Sequence, residues 1–355
     1  MTDDNKSNDK NDDKKSNFSQ LLKWIGYTTA ILSFCATIYG LGKFVYDRAD
    51  TNRKINALLS SESVQRKGRD YDSAWHTLEQ AAQLKPDSPK VRAAQDSLTI
   101  AWLDDIELQR AQKFSVIVPK LIPVLSRAIA STKPGPAHAD LLAHLGWAYY
   151  LQFRENTSEV DPEVTFTQAV AEDANNPYAN SMWGYFLLWS RYRENYLAEA
   201  NKHFAAALAS HREEDYIRLL QTLALADCTA DPCLDELLRV ASAMRQEHKP
   251  LTEHPMLRLF GHYYFEFAGG SARQAHLINI LPPAEHLATF RWLFDNVEMD
   301  ESKSDERTFY TAILQEAAGD REGAIANYRL CIANDKPHSG SMWEAASAAM
   351  KRLSH

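Results

Sequence analysis

Glycine and proline are scarce in this chain, which has 13 Gly and 14 Pro in 355 residues. Globular proteins usually have a combined share of roughly 12%. Because both residues interrupt regular elements, their scarcity favours long helices. Alternating strand patterns are also rare, and the one candidate, Phe114–Val118, runs directly into Pro119. The composition therefore predicts an all-α protein.

Basic residues are in the minority, with 39 Lys and Arg against 47 Asp and Glu and a net charge of -8. A nucleic-acid-binding protein needs a basic face to displace counterions from phosphates. Anionic lipid surfaces likewise attract clusters of Lys and Arg. The charge balance therefore argues against a nucleic-acid partner and against a domain that lies flat on a membrane.

Recognisable enzyme motifs are missing. The sequence has no phosphate-binding Gly-rich loop, no G-x-S-x-G elbow and no H-E-x-x-H among its 12 His. His254 and His262 could share one face of a predicted helix, but no third residue has metal-ligand spacing, so ordinary surface histidines are expected. The sequence predicts no catalytic residue, no metal and no cofactor.

Long apolar runs are absent except for one, Trp24–Gly42, which has no charged residue. A helix of this length crosses roughly 30 Å of hydrocarbon. Lys23 and Lys43 bracket it where their side chains can reach the headgroups, and Tyr39 lies near one edge. The run predicts a single-pass membrane anchor. A cleaved secretory signal and a buried core helix are the alternatives, although the run is long for a signal and Gly40 would weaken a core helix.

A short-range pattern recurs in the rest of the chain. Ala74, Leu78, Ala81 and Pro86 are spaced so that two small residues flank a large one on one helix face and a proline follows the helix. Small residues let two helices approach closely, and proline ends the helix so that the next pair can begin. This pattern resembles the second helix of a tetratricopeptide repeat.

Three further copies follow. Near the C-terminus the spacing returns at Ala324, Tyr328 and Cys331, with Pro337 one residue late. Two degenerate copies, whose helix pairs are longer than in the usual repeat, lie between these. In the earlier copy the first helix carries Leu142, Leu145, Gly146 and Tyr149, and the second helix carries Phe166 and Ala169. In the later copy the first helix carries Trp183, Gly184 and Leu187, and the second helix carries Ala200, Phe204 and Ala207. The chain therefore resembles tetratricopeptide-repeat proteins, with an irregular helical bundle as the alternative.

The resemblance implies a helical-hairpin superhelix, an α-solenoid, whose groove binds a peptide or protein without catalysis. It divides the chain as follows: a disordered polar tail (1–20), the membrane anchor (21–46), a first repeat (47–97), packing helices (98–138), two degenerate repeats (139–210), a helical segment without repeat signature (211–300), and a last repeat with a capping helix (301–355).

Aromatic residues cluster in the two degenerate repeats. Repeat positions assign Tyr149 and Trp183 to the core. Trp147, Tyr150 and Tyr185 fall between the core positions, which makes them candidates to line the groove and bind the partner. The alternative is core packing, the usual role of aromatics at helical spacing.

Two of the four cysteines bracket a predicted turn. Cys228 and Cys233 flank Thr-Ala-Asp-Pro and can reach the separation that a disulfide requires. A disulfide there would place the domain on an oxidising side of the membrane, whereas the alternative is two buried thiols.

These observations favour a membrane-tethered scaffold or assembly factor that binds a protein or peptide and can take part in a larger membrane complex. The chain resembles N-terminally anchored bacterial repeat proteins of the inner membrane. The basic residues on the two sides of the span nearly balance, but a short N-terminal tail before a large domain favours insertion with the tail inside, so we expect a single-pass protein with its C-terminal domain in the periplasm. Two alternatives are an anchored import or chaperone receptor with a cytosolic repeat domain, and an enzyme with an unrecognised site in 211–300.

Overall fold

The computed structural model describes residues 48–354 with internal gaps, together with isolated residues earlier in the chain. The gaps are 112, 229, 265–283, 298–303 and 335–340, and the isolated residues are 37, 39, 43 and 46. The polar tail and nearly all of the predicted span Trp24–Gly42 therefore lie outside the described residues. Within the part that is described, every helix is too short or too polar to cross a bilayer.

The residues through Asp104 form one compact unit and those from Asp105 onward another. The first unit contains α1 (48–67), α2 (Tyr71–Leu84) and α3 (Pro89–Asp104). Ile55 of α1, Ala81 of α2 and Val91 of α3 pack together as a buried core. The domain boundary expected at 97 lies inside α3.

The first repeat pattern becomes a helix pair, α1 and α2. Asp70 caps α2 by accepting a hydrogen bond from the backbone N–H of Ser73. The three residues that carry the pattern, Ala74, Leu78 and Ala81, are fully buried. The small-large-small spacing therefore identifies the packed face of α2.

The second unit consists of helices wherever it is described. They are α4 (Ile106–Ala111), α5 (Val118–Ser131), α6 (Pro136–Arg154), α7 (Pro162–Glu172), α8 (Pro177–Ser190), α9 (Tyr196–Leu208), α10 (Glu214–Cys228), α11 (Asp231–Gln246), α12 (Glu253–Tyr264), α13 (Ala284–Asn296), α14 (Ser304–Ala317), α15 (Arg321–Asn334) and α16 (Ser341–Leu353).

Helices of the second unit pair in sequence order. The pairs α6–α7, α8–α9 and α14–α15 pack most extensively, and α6, α8, α10 and α12 lie side by side as the first helices of successive pairs. Pro136, Pro162 and Pro177 each begin a helix, where a missing N–H costs nothing. The result is an all-α arrangement of helical hairpins, as the sequence predicts.

Two glycines set how closely the middle pairs approach. A methyl group on Gly146 would lie 2.7 Å from the Phe166 ring, and one on Gly184 would lie 2.9 Å from the Phe204 ring. The same spacing of 38 residues separates Gly146 from Gly184 and Phe166 from Phe204. The degenerate repeats therefore share one packing geometry, in which a phenylalanine of the second helix fills the space above a glycine of the first.

Candidate functional site: a cleft beside helix α4

The three aromatic residues proposed to bind a partner meet at the junction of α6 and α8. The ring centroids of Trp147 and Tyr150 are 4.7 Å apart, those of Trp147 and Tyr185 are 5.3 Å apart, and those of Tyr150 and Tyr185 are 5.9 Å apart. Trp147 is 1% exposed, Tyr150 0% and Tyr185 5%. The structure thus brings the three residues together but buries them.

Two further aromatic residues are less buried than their repeat positions predict. Tyr149 and Trp183, which the repeat positions assign to the core, are only half-buried. Trp183 stacks on His203 with ring centroids 4.2 Å apart and donates its indole N–H to Glu163 at 3.1 Å. These two residues therefore lie at the margin of the packed interior, whereas Trp147 lies inside it.

The short helix α4 covers this aromatic group. Trp147 donates its indole N–H to Gln109 Oε1 at 2.9 Å, and the backbone oxygen of Gln109 accepts from Arg154 Nη2 at 3.2 Å. Gln109 itself is 2% exposed. The side of α6 that the resemblance assigns to the groove is therefore occupied, at Trp147, by the chain's own segment.

A half-buried carboxylate ties α4 to three other helices. Asp227 of α10 accepts from Arg110 Nη1 at 2.6 Å, from the Tyr185 hydroxyl at 3.1 Å and from His254 Nε2 at 3.0 Å. Burial opposes ionisation of Asp227, but the hydrogen bonds from His254 and Arg110 outweigh it and hold the pKa of its carboxyl below the ordinary value. The ionised form of Asp227 is therefore favoured, and it positions Arg110.

A second carboxylate fixes the segment that follows α4. Glu155 accepts hydrogen bonds from the backbone N–H groups of Phe114 at 2.7 Å and Ser115 at 2.8 Å, and pairs with Arg154 at 3.3 Å. Burial opposes ionisation of Glu155, but the backbone N–H groups of Phe114 and Ser115 outweigh it and lower its pKa. Charge-assisted hydrogen bonds therefore hold α4 at Arg110 and the residues that follow it at Phe114 and Ser115.

Between these contacts lies an open cleft of about 680 Å³. It is lined by Gln109, Arg110, Ala111, Lys113, Tyr150, Arg154, Glu155, Tyr185, Trp189 and Asp227. Tyr150 and Tyr185, although buried, adjoin this cleft, whereas Trp147 is not among the lining residues. No local motif in the sequence marks Gln109, Arg110 or Asp227, because each reaches the cleft through a contact distant along the chain.

The Tyr150 hydroxyl is enclosed by the protein and interacts with the side chain of Arg154. Burial raises the pKa of this hydroxyl far above its ordinary value, so that it keeps its proton. Arg154 and Trp189, which lie over or beside the Tyr150 ring at 5.9 and 5.5 Å, line the same cleft. Tyr150 therefore supports the cleft from beneath and is itself closed to solvent.

Aromatic surface is exposed at the mouth of the cleft. Trp189 and Phe153 are each 36% exposed and lie with ring centroids 6.1 Å apart. Tyr192 continues this surface through Phe186 and is 57% exposed. Exposed apolar clusters of this kind commonly mark interaction surfaces.

The structure joins Cys228 and Cys233 in a disulfide, with an S–S distance of 2.08 Å and a Cα–Cα distance of 6.1 Å. The bridge links the end of α10 to the start of α11. The Tyr196 hydroxyl lies 3.9 Å from each sulfur. The turn predicted between the two cysteines therefore has a geometry in which they can bond.

The two histidines considered as metal ligands have separate surroundings. His254 bonds to Asp227, and His262 lies 3.8 Å from Asp231. Over the described ranges, no group of three or more His, Cys, Asp or Glu side chains is placed to hold a metal ion. In the segment 211–300, for which an enzyme site is the alternative, residues 229, 265–283 and 298–300 lie outside the described residues.

Comparison with known proteins adds little. No protein-family model matches the chain, and no curated protein matches its sequence. A solved structure to which the chain is similar is a tetratricopeptide repeat protein from Parabacteroides merdae, with 13% sequence identity, coverage of 85% of this chain and 100% of that chain, and a TM-score of 0.39. A TM-score this low does not establish a shared fold. The description of the chain as stacked helical hairpins therefore rests on its own helix pairs.

Proposed function

We propose that this protein is a non-catalytic, membrane-tethered scaffold or assembly factor that binds a protein partner at the cleft beside α4. The observation that carries the proposal is the exposed aromatic surface of Trp189, which lines the cleft, and of Phe153 beside it, next to the charged side chains of the cleft. Interfaces commonly have aromatic anchors next to a few placed polar groups.

The tether is the uncharged run Trp24–Gly42. The geometry of Cys228 and Cys233 agrees with an oxidising compartment. We therefore place the domain in the periplasm of a bacterial inner-membrane protein.

The receptor and enzyme alternatives draw less support. A cytosolic receptor would keep Cys228 and Cys233 reduced. An enzyme would make use of the Asp227–His254 pair. Among the described residues, however, His254 has no other hydrogen-bond partner, and Asp227 also accepts hydrogen bonds from Arg110 and Tyr185. Ion pairing accounts for this arrangement without a reaction.

Photo-crosslinking in intact cells tests the proposal. A photoreactive amino acid replaces Trp189 in the full chain, and in a matched control it replaces Leu330, which is exposed by 49% on α15. After irradiation, membranes are washed with carbonate. The expected result is one specific protein adduct at position 189, retained in the washed membranes and absent at position 330. Adducts that are equal at both positions, or chain recovered in the soluble fraction, would contradict the proposal.

A further inference from the structure

Helix α4 packs little against its neighbours. The other described helices of the second unit each lie along at least one neighbouring helix, whereas α4 has no extensive contact with any of them. Its six residues begin at Ile106, the one buried apolar side chain of α4, and Asp105 accepts a hydrogen bond from the backbone N–H of Leu108 at 3.0 Å. A helix this short is not stable by itself in water. Its helical form therefore depends on the contacts that hold it.

Polar contacts fasten α4 to α6 and α10. Trp147 donates to the side chain of Gln109, and Arg154 donates to its backbone oxygen. Arg110 pairs with Asp227, and 28% and 32% of these two side chains are exposed, so that water competes for the pair. The contacts that hold α4 in place are thus few and mainly polar.

The chain is fastened independently beyond α4. Glu155 accepts hydrogen bonds from the backbone N–H groups of Phe114 and Ser115, and the Phe114 side chain is fully buried. The next helix, α5, begins only at Val118. Helix α4 can therefore leave its place while α5 and the helices that follow stay where they are.

We propose, resting on the proposed function, that α4 is an intramolecular latch that occupies part of the partner site over Trp147, so that the partner binds fully only after α4 has left. Trp189 and Phe153 are exposed while α4 is in place and receive the partner first. Because only open molecules bind fully, the latch lowers the apparent affinity by the fraction of molecules that are open.

The surface beneath α4 keeps its geometry when the latch opens. Asp227 retains its hydrogen bonds from the Tyr185 hydroxyl and from His254 after Arg110 has left. Trp147 retains its ring contacts with Tyr185 and its neighbours on α6. The open form thus presents an ordered site instead of a collapsed one.

Hydrogen–deuterium exchange of the full chain in nanodiscs tests the latch without a partner. After correction for intrinsic rates, amides 109–111 should exchange at least about tenfold faster than those of α8, at a rate that low urea does not change, as expected of local opening. Arg110→Ala, which removes the ion pair, and Gln109→Ala, which removes the bond to Trp147, should each speed this exchange about threefold. Amides of α4 that exchange only with global unfolding, in step with α8, would overturn the inference.

The photoreactive residue at position 189 tests the regulation. Both variants should raise the yield of the protein adduct by up to about threefold per folded chain, since more molecules are open. The folded fraction is measured by circular dichroism of the purified variants. If α4 were itself part of the surface that binds the partner, the same variants would lower the yield. A yield that is unchanged or lower in both would overturn the inference.

Arg239→Ala is the matched control. Arg239 is an exposed arginine that pairs with Glu236 on α11 and does not line the cleft. Its loss should change neither the exchange of α4 nor the adduct yield. Increases as large as those of Arg110→Ala would show that loss of any surface ion pair is sufficient, which would contradict a latch at α4.

The two proposals fail separately. If the adduct at position 189 forms but neither variant raises its yield, the latch is wrong and the scaffold stands. If no version of the chain forms a specific adduct, the scaffold is wrong, and α4 is then no latch whatever its exchange rate.

Discussion

Trp147 and Gln109 form a buried hydrogen bond of 2.9 Å between α6 and α4. Both side chains are almost fully enclosed. This bond holds α4 against the aromatic row of α6 and α8, so that the open surface lies beside α4, at Trp189, instead of over Trp147.

The first prediction concerns this bond. Trp147→Ala should destabilise the fold by about 3–5 kcal/mol, because it empties a fully packed site. Gln109→Ala should cost about 1–3 kcal/mol, since it leaves the indole N–H unsatisfied. Urea unfolding of the full chain, followed by near-ultraviolet circular dichroism, provides the measurement. Trp189→Ala is the control for loss of an indole at the surface and should cost less than Trp147→Ala. Equal costs at both positions would mean that α4 does not cover Trp147.

The sequence predicts the helix pairs well because their signal is local. Ala74, Leu78 and Ala81 lie on one face of a single helix, and the spacing alone shows that this face packs closely. The burial of Trp147 has no such signal, since it depends on Gln109, which lies on a helix without a repeat signature. For the same reason, the sequence assigns Trp183 to the core although it is half-buried in the structure.

The second prediction tests the shared packing of the degenerate repeats. Gly146→Ala and Gly184→Ala should each destabilise the protein by about 1–3 kcal/mol, because the added methyl group overlaps the Phe166 or Phe204 ring. Gly68→Ala is a matched control, since the nearest atoms to its methyl group would lie at an ordinary 3.4 Å. The measurement is the melting temperature of each of the three variants, compared with that of the unchanged protein. A loss at Gly68 as large as at Gly146 would show that the aromatic contacts are not responsible.

The third prediction concerns His203, which donates from Nδ1 to Asn180 Oδ1 at 2.9 Å and stacks on Trp183. Burial, the largest cause, lowers the pKa of His203 from 6.5 to about 4. The charged side chains that act on it are Lys202, Glu199, Glu163 and Arg193. Below pH 6.5 the unfolded chain therefore gains a proton that the folded protein does not take up.

Stability should consequently fall as the pH is lowered from about 6.5 to about 4, by on the order of 2 kcal/mol after allowance for solvent screening. His203→Gln should remove this contribution and leave the remaining pH dependence. The measurement is the free energy of unfolding of both proteins across that interval. Parallel curves for the two proteins would contradict the assignment to His203.

The fourth prediction concerns Cys228 and Cys233. In a periplasmic domain both should resist thiol labelling after denaturation without reductant and label only after reduction, whereas Cys35 and Cys331 should label on denaturation alone. Mass spectrometry of the labelled peptides distinguishes the four sites. Labelling of Cys228 and Cys233 without reductant would favour a cytosolic domain and the receptor alternative.

The central claim, that the cleft beside α4 binds a protein partner, is tested most directly by the affinity of the protein captured at position 189 for the full chain in nanodiscs. Trp189→Ala should weaken this affinity at least about tenfold while the fraction of folded protein stays unchanged. Lys120→Gln, which changes an exposed residue of α5 that does not line the cleft, should have no effect. An affinity that is unchanged in Trp189→Ala, or that falls only in proportion to the folded fraction, would contradict the account.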